Sequence, residues 1–191
     1  MKPSRLLALA AFALPALAHA HPGHDGPDLT WDFASGAAHP LSGWDHLLAM
    51  IAVGLWAAQL GGHRRWLVPA AFVAVLAAGA GLGHAGVNLP GVEKGIAASI
   101  LLLGLLIATT VRLPGPAGIA LVGVFGLFHG LAHGAEMPVT AGGLGYGAGF
   151  VVATLFLHLV GLALGFALKD QGKITMVGGA VAMAGALAFA L

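Results

Sequence analysis

The sequence predicts an all-α fold: a polytopic integral membrane bundle of six transmembrane helices behind a cleavable signal peptide. Three observations predict it. The 191 residues are 59% hydrophobic and only 8% charged, with a mean hydropathy of +0.94, and a soluble domain of this size needs far more charge to cover its surface. The apolar residues fall into six runs, each near the ~20 residues that a bilayer core requires. The N-terminus has the layout of an export signal.

In that signal, Lys2 and Arg5 precede the apolar run from Leu6 to Leu17, and Ala18-His19-Ala20 forms an A-x-A cleavage site. The run is short for a span of ~30 Å of hydrocarbon. Residues 1–20 are therefore expected to be removed, leaving His21 as the mature N-terminus outside the cytoplasm. Residues 21–38 form the expected periplasmic segment, where Asp25, Asp28, Asp32 and several Gly and Pro argue against regular structure. Residues 31–38 suit a short interfacial helix, and Pro40 and Gly43 are expected to break the backbone after it. Residues 39–191 are then the transmembrane domain, with spans at 43–60, 66–83, 94–111, 117–135, 143–168 and 174–191. The loops are short, so consecutive helices are expected to be antiparallel neighbours.

Charge sets the expected orientation. With the mature N-terminus outside, the inner loops carry Arg64, Arg65, Arg112, Lys169 and Lys173, and the outer loops only Lys94. This is the positive-inside asymmetry, reached independently of the signal peptide. Both termini are then periplasmic, and the membrane is the bacterial inner one. Glycine spacing points to close helix packing: Gly126, Gly130 and Gly134 recur on the fourth span, Gly161 and Gly165 on the fifth, Gly79 and Gly83 on the second.

Several functions are excluded or disfavoured. The Lys and Arg residues form no basic stripe for nucleic acid. Without cysteine there is no disulfide, thiolate site or cysteine nucleophile. No G-x-x-x-x-G-K-[ST] loop is present, so the chain carries no P-loop for a nucleotide. Ser35, Ser42 and Ser99 lie in no nucleophile motif, and no H-E-x-x-H occurs.

What remains unusual is ten histidines in a chain this poor in charge. Ionisable groups inside membrane helices cost about 2.5–3.5 kcal/mol each at the centre on insertion scales, so they need a reason. Most fall at one expected face, the outer one: His39, Asp45 and His46 at the start of the first span, His84 at the end of the second, Glu93 at the start of the third, and His129, His133 and Glu136 at the end of the fourth. The last three stand at i, i+4 and i+7, one stripe of a helix, where two imidazoles a turn apart can grip one ion and Glu136 can be a third ligand or orient a histidine. Around the first span, Ser42 and Asp45 resemble a helix capping box, which accounts for Asp45 but for neither His39 nor His46. Asp45 and His46 point about 100° apart on a helix, so one can ligate while the other positions a partner. His158 falls deep in the fifth span, where a structural hydrogen bond and a place on an ion or proton path are equally open, and with His84 it is assigned to a pathway rather than to the capture site. His63, beside two arginines, reads as a solvated loop residue. His21 and His24 could collect metal weakly with the free amine.

Nitrogen and oxygen donors without thiolate suit Ni, Co, Zn or Cu(II), and donor type alone does not choose among them. The stretch from His39 to Gly54, of pattern H-P-x-x-G-x-D-H-x-x-A-M, and the stretch Phe128 to Glu136, of pattern F-H-G-x-A-H-G-x-E, resemble the HupE/UreJ family over nearly the whole chain. Trp44 occupies a position that is often aliphatic there. The resemblance implies a secondary nickel permease, often encoded with hydrogenase or urease systems, whose working positions are His39, Asp45, His46, Glu93, His129, His133 and Glu136. The transported ion is then Ni²⁺, with Co²⁺ or Zn²⁺ as alternatives. The partners are the lipid bilayer and the divalent ion, with no nucleic acid; a homo-oligomer or an outer-membrane or periplasmic metal supplier also fits that role. Two other functions stay open on the residues alone: a membrane-embedded zinc-dependent hydrolase, and a metal-binding or sensor subunit of another complex.

Overall fold

The computed structural model describes residues 32–137, 142–168 and 170–191. The expected signal peptide, and residues 21–31 with His21 and His24, lie outside the described residues. The described residues form seven α-helices and no strand: α1 (Phe33–Ser42), α2 (Trp44–Leu60), α3 (Arg64–His84), α4 (Val92–Thr109), α5 (Gly115–Glu136), α6 (Gly142–Ala167) and α7 (Gln171–Ala190). Helices α3 to α7 are each long and apolar enough to cross a membrane. Helix α2 has 17 residues and meets that test only together with α1, from which it is bent by 85°. The bundle thus has five such helices, or six when the bent pair counts as one span.

The bend falls at one of the two expected breaks. Pro40 lies inside α1, and the turn comes at Gly43, in extended backbone at φ −89°, ψ 114°. Helix α1 starts on a capping box: the Asp32 carboxylate accepts from Ser35 N at 2.9 Å, and Ser35 Oγ accepts from Asp32 N at 3.0 Å. Ser42, expected to cap α2, instead donates its hydroxyl to the His39 carbonyl at 2.8 Å and closes α1. The N-cap of α2 is Gly43, which offers no side chain. The Asp45 carboxylate accepts from the backbone N of the adjacent His46 at 2.8 Å.

The most extensive packing is not between consecutive helices, contrary to the expectation from loop length. It joins α3 to α5, α4 to α7, and α2 to α6, with α1 laid on α6. Glycine decides this. Lipid tails are as apolar as leucine, so helices pair where their backbones can approach most closely. Gly126, Gly130 and Gly134 of α5 face the backbones of Phe72, Leu76 and Ala80 of α3, an order that makes the two helices parallel. Gly161 and Gly165 of α6 meet Ile51, Leu55 and Ala58 of α2. The α4–α7 pair uses glycines not singled out in the sequence: Gly104 faces Ala182, and Gly185 faces Leu101, an antiparallel order. We expect Gly130→Ala to lower stability in detergent by about 1–3 kcal/mol, because its Cβ would overlap the Leu76 carbonyl and force α3 from α5. Thermal unfolding of the purified protein measures this, and an unchanged midpoint would remove the close-approach account.

Helix α2 runs through the centre, with Met50, Val53, Trp56 and Ala57 fully buried among Phe72, Leu103 and Ile107. Large apolar side chains such as Phe156, Leu159, Val124 and Met183 point outward, as a lipid-facing surface requires. The two ends of the bundle differ in charge. At one, Arg64 donates to the Leu113 carbonyl at 3.2 Å, Trp56 to the Val111 carbonyl at 3.3 Å, and Arg65 stacks over Phe166 at 5.8 Å. At the other, Lys94 lies 5.7 Å from the Phe189 ring.

Candidate metal centre

The bend at Gly43 carries α1 against α6 and so sets His39 over the N-terminal end of α2 and the C-terminal end of α5. Gly36 makes the seat possible, since a Cβ there would overlap the Tyr146 carbonyl on α6. His39, His133 and Glu136 then meet, with one ligand atom from each lying within 4.8 Å of the others. His133 is buried and Glu136 exposed, with His133 Nδ1 3.5 Å from a Glu136 carboxylate oxygen, close but not hydrogen-bonded. The stripe read on α5 thus faces a loop-proximal helix as well as the bundle.

His46 stands against this trio, its ring centroid 4.5 Å from that of His133 and 6.0 Å from that of His39. Asp45 Oδ1 lies 2.7 Å from His46 Nδ1. A carboxylate only accepts, so Nδ1 carries a proton, and in the neutral ring the lone pair is then on Nε2. That Nε2 is buried with no hydrogen-bond partner. A turn deeper on α5, His129 repeats the arrangement: its Nδ1 donates to the Phe125 carbonyl at 2.9 Å, and its Nε2 is buried and unpartnered. Both imidazoles are held in the tautomer that presents a donor nitrogen to a cation. Both nitrogens of His133 also lack a hydrogen bond. Buried polar atoms are nearly always satisfied, so a group of orphaned imidazole nitrogens on three neighbouring residues fits a cation in a way it does not fit an apolar core.

The remaining residues singled out in the sequence lie elsewhere. Glu93 is exposed on the first turn of α4, where it lines, with Trp44, Asp45, Lys94 and Phe189, an open cleft of about 370 Å³. Asp45 belongs to both places: it borders the cleft and holds His46. His84 is exposed at the end of α3. His63 is exposed in the turn before α3. His158 is buried on α6, below the cluster. The structure also adds residues that sequence reasoning passed over. Phe150 packs on His133 at 4.3 Å, Tyr146 lies 5.9 Å from His39, and Phe72 lies 5.4 Å from His129. An aromatic or threonine in an apolar helix gives no sequence signal that separates it from ordinary core. Beside His133 a cavity of about 20 Å³ has room for about one water.

Apolar helices around buried, ligand-ready imidazoles define the class: a multi-helix, membrane-type protein with a candidate divalent-cation centre. The chain belongs to the HupE/UreJ family, since the HupE / UreJ protein profile matches residues 7–188. It is also similar to Protein HupE of Rhizobium leguminosarum bv. viciae, with 48% identity over 182 residues that cover 93% of each chain. No solved structure matches significantly.

Proposed function

We propose that this protein is a secondary permease, without enzymatic activity, that takes up divalent nickel, or cobalt, from the periplasm across the bacterial inner membrane for maturation of a metalloenzyme such as a hydrogenase or urease. The observation that carries the reading is the convergence of His39, His133 and Glu136 within 4.8 Å, with the orphaned nitrogens of His46 and His129 continuing inward from it. Family membership supports the same reading, through the resemblance set out above.

On this reading the carboxylates Glu93 and Asp45 draw the cation to the cleft. His39, His133 and Glu136 replace part of its water shell, and the step to His46 and then His129 commits it to the bundle. Inward movement of a divalent ion gains about 4.6 kcal/mol per 100 mV of membrane potential, so no nucleotide is needed. The donor set leaves Co²⁺ and Zn²⁺ as competing cargo, because imidazole and carboxylate donors bind all three ions and selectivity then comes from geometry and supply.

Flux of Ni²⁺ into liposomes holding the purified protein alone tests the proposal. Influx under an inside-negative potential is expected. Tight binding with no flux would instead assign a binding or sensor subunit, and hydrolysis without flux a metalloenzyme. Acidification provides a second check. A protonated imidazole cannot ligate, so binding the ion displaces protons and affinity falls as pH falls. Equilibrium Ni²⁺ binding should weaken on acidification; affinity unchanged down to the pH at which the protein unfolds would remove histidine from the ligand set.

A further inference from the structure

The imidazoles do not stop at the candidate centre. Ring centroids step inward from His39 to His133 at 4.7 Å, His133 to His46 at 4.5 Å, and His46 to His129 at 5.4 Å. The Phe72 ring lies 5.4 Å from that of His129 and 5.1 Å from that of His158. His158 sits where α2 and α6 touch, since a Cβ on Gly54 would overlap the His158 carbonyl. Gly54 is two helical turns below His46, which puts the His158 backbone about 12 Å deeper along the bundle.

His158 is 1% exposed, and neither of its ring nitrogens has a hydrogen-bond partner. Thr154, one turn earlier on the same helix, is 0% exposed, and its hydroxyl is also unpartnered. A hydrogen bond to a neighbouring helix would be the ordinary reason for a histidine at this depth, and no such bond is made. A neutral imidazole keeps one lone pair, and a threonine oxygen keeps two, so the pair offers one nitrogen and one oxygen donor in an otherwise apolar region. The Phe72 ring touches both His129 and His158, and its face attracts a cation without binding it as a ligand.

We infer that His158 and Thr154 form a second, inner cation station, which receives the divalent ion from His129 past the Phe72 ring. This rests on the transport reading and extends it: capture and translocation use separate donor sets, and ion release to the inner side starts from His158. An ion committed to the bundle at His129 is thereby not released inward until the inner donors take it.

The test uses the full-length protein with Ni²⁺ as probe, measuring equilibrium binding in detergent and initial influx into liposomes. His158→Leu removes both orphaned nitrogens with a side chain of similar bulk. It should bind Ni²⁺ within about twofold of the unaltered protein, unfold at the same temperature or higher, and lose at least about tenfold in influx. Thr154→Val, which keeps shape and deletes only the hydroxyl oxygen, should lose about threefold. Influx within twofold of the unaltered protein in His158→Leu would overturn the inference and leave the outer centre standing. Loss of binding together with stability would overturn it too, because His158 would then be supporting the bundle. Should His158→Leu fail to fold, Thr154→Val decides on the same criteria. If the unaltered protein moves no Ni²⁺ at all, the transport reading itself fails, and the inner station with it.

Discussion

Replacing His133 and Glu136 together by alanine, at unchanged expression, should reduce cellular nickel accumulation by at least about 100-fold. These two side chains supply two of the three groups that meet within 4.8 Å at the mouth of the bundle. Only His39 would remain there, and a single imidazole on a helix bent 85° from its neighbour holds a hydrated divalent ion weakly. The loss should exceed that of either single variant and should not be additive, since the second deletion removes a ligand from a centre already open. Structural damage is a lesser concern for this pair. Glu136 is exposed, and His133 contributes no hydrogen bond to the fold. Its removal leaves a void beside the small existing cavity, which water can fill. Accumulation within twofold of the unaltered strain would end the account of this trio as the capture centre.

Much of this was legible before the structure, and the reasons are physical. Span positions follow from the length of apolar runs, which the bilayer dictates, and α3 to α7 begin and end within a few residues of expectation. The His129, His133 and Glu136 stripe follows from helical periodicity alone. Other features depended on tertiary choices that no local pattern records. The bend at Gly43 decides where His39 goes, and Pro40, the other expected break, sits inside a helix. Helix pairing follows glycine faces rather than loop length, so the α4–α7 pair was not anticipated although Gly104 and Gly185 were visible. Glu93 looked like a member of the same cluster because it shares an end of the bundle. Depth along the membrane normal is readable from sequence; angle around the bundle is not, and that angle puts Glu93 in the neighbouring cleft. Phe72 and Thr154 carry no charge and no motif, so only contact with the histidines gives them meaning.

Asp45 poses the sharpest choice between a structural and a functional role, and Asp45→Asn separates the two. In the first turn of α2 a carboxylate stabilises the helix N-terminus by about 0.3–1 kcal/mol. If that were its whole purpose, the asparagine variant would lose a little stability and bind nickel as before. The 2.7 Å contact between Asp45 Oδ1 and His46 Nδ1 argues for more. The carboxylate fixes the proton on Nδ1 and holds the ring, with its unpartnered Nε2, beside those of His133 and His129. An asparagine amide can either accept from Nδ1 without the charge, or donate to it and move the proton to Nε2, which then cannot ligate. Both outcomes weaken the site, and loss of such an orienting carboxylate typically costs 10–100-fold in metal affinity. We therefore expect Asp45→Asn to raise the Kd for Ni²⁺ by about 10–100-fold with a thermal midpoint shifted by only a few degrees. The His46→Ala, Asp45→Asn pair should be little worse than His46→Ala alone, because the carboxylate acts through the imidazole it holds. Full additivity of the two changes would detach Asp45 from His46 and return it to the helix terminus, or to the cleft it shares with Glu93.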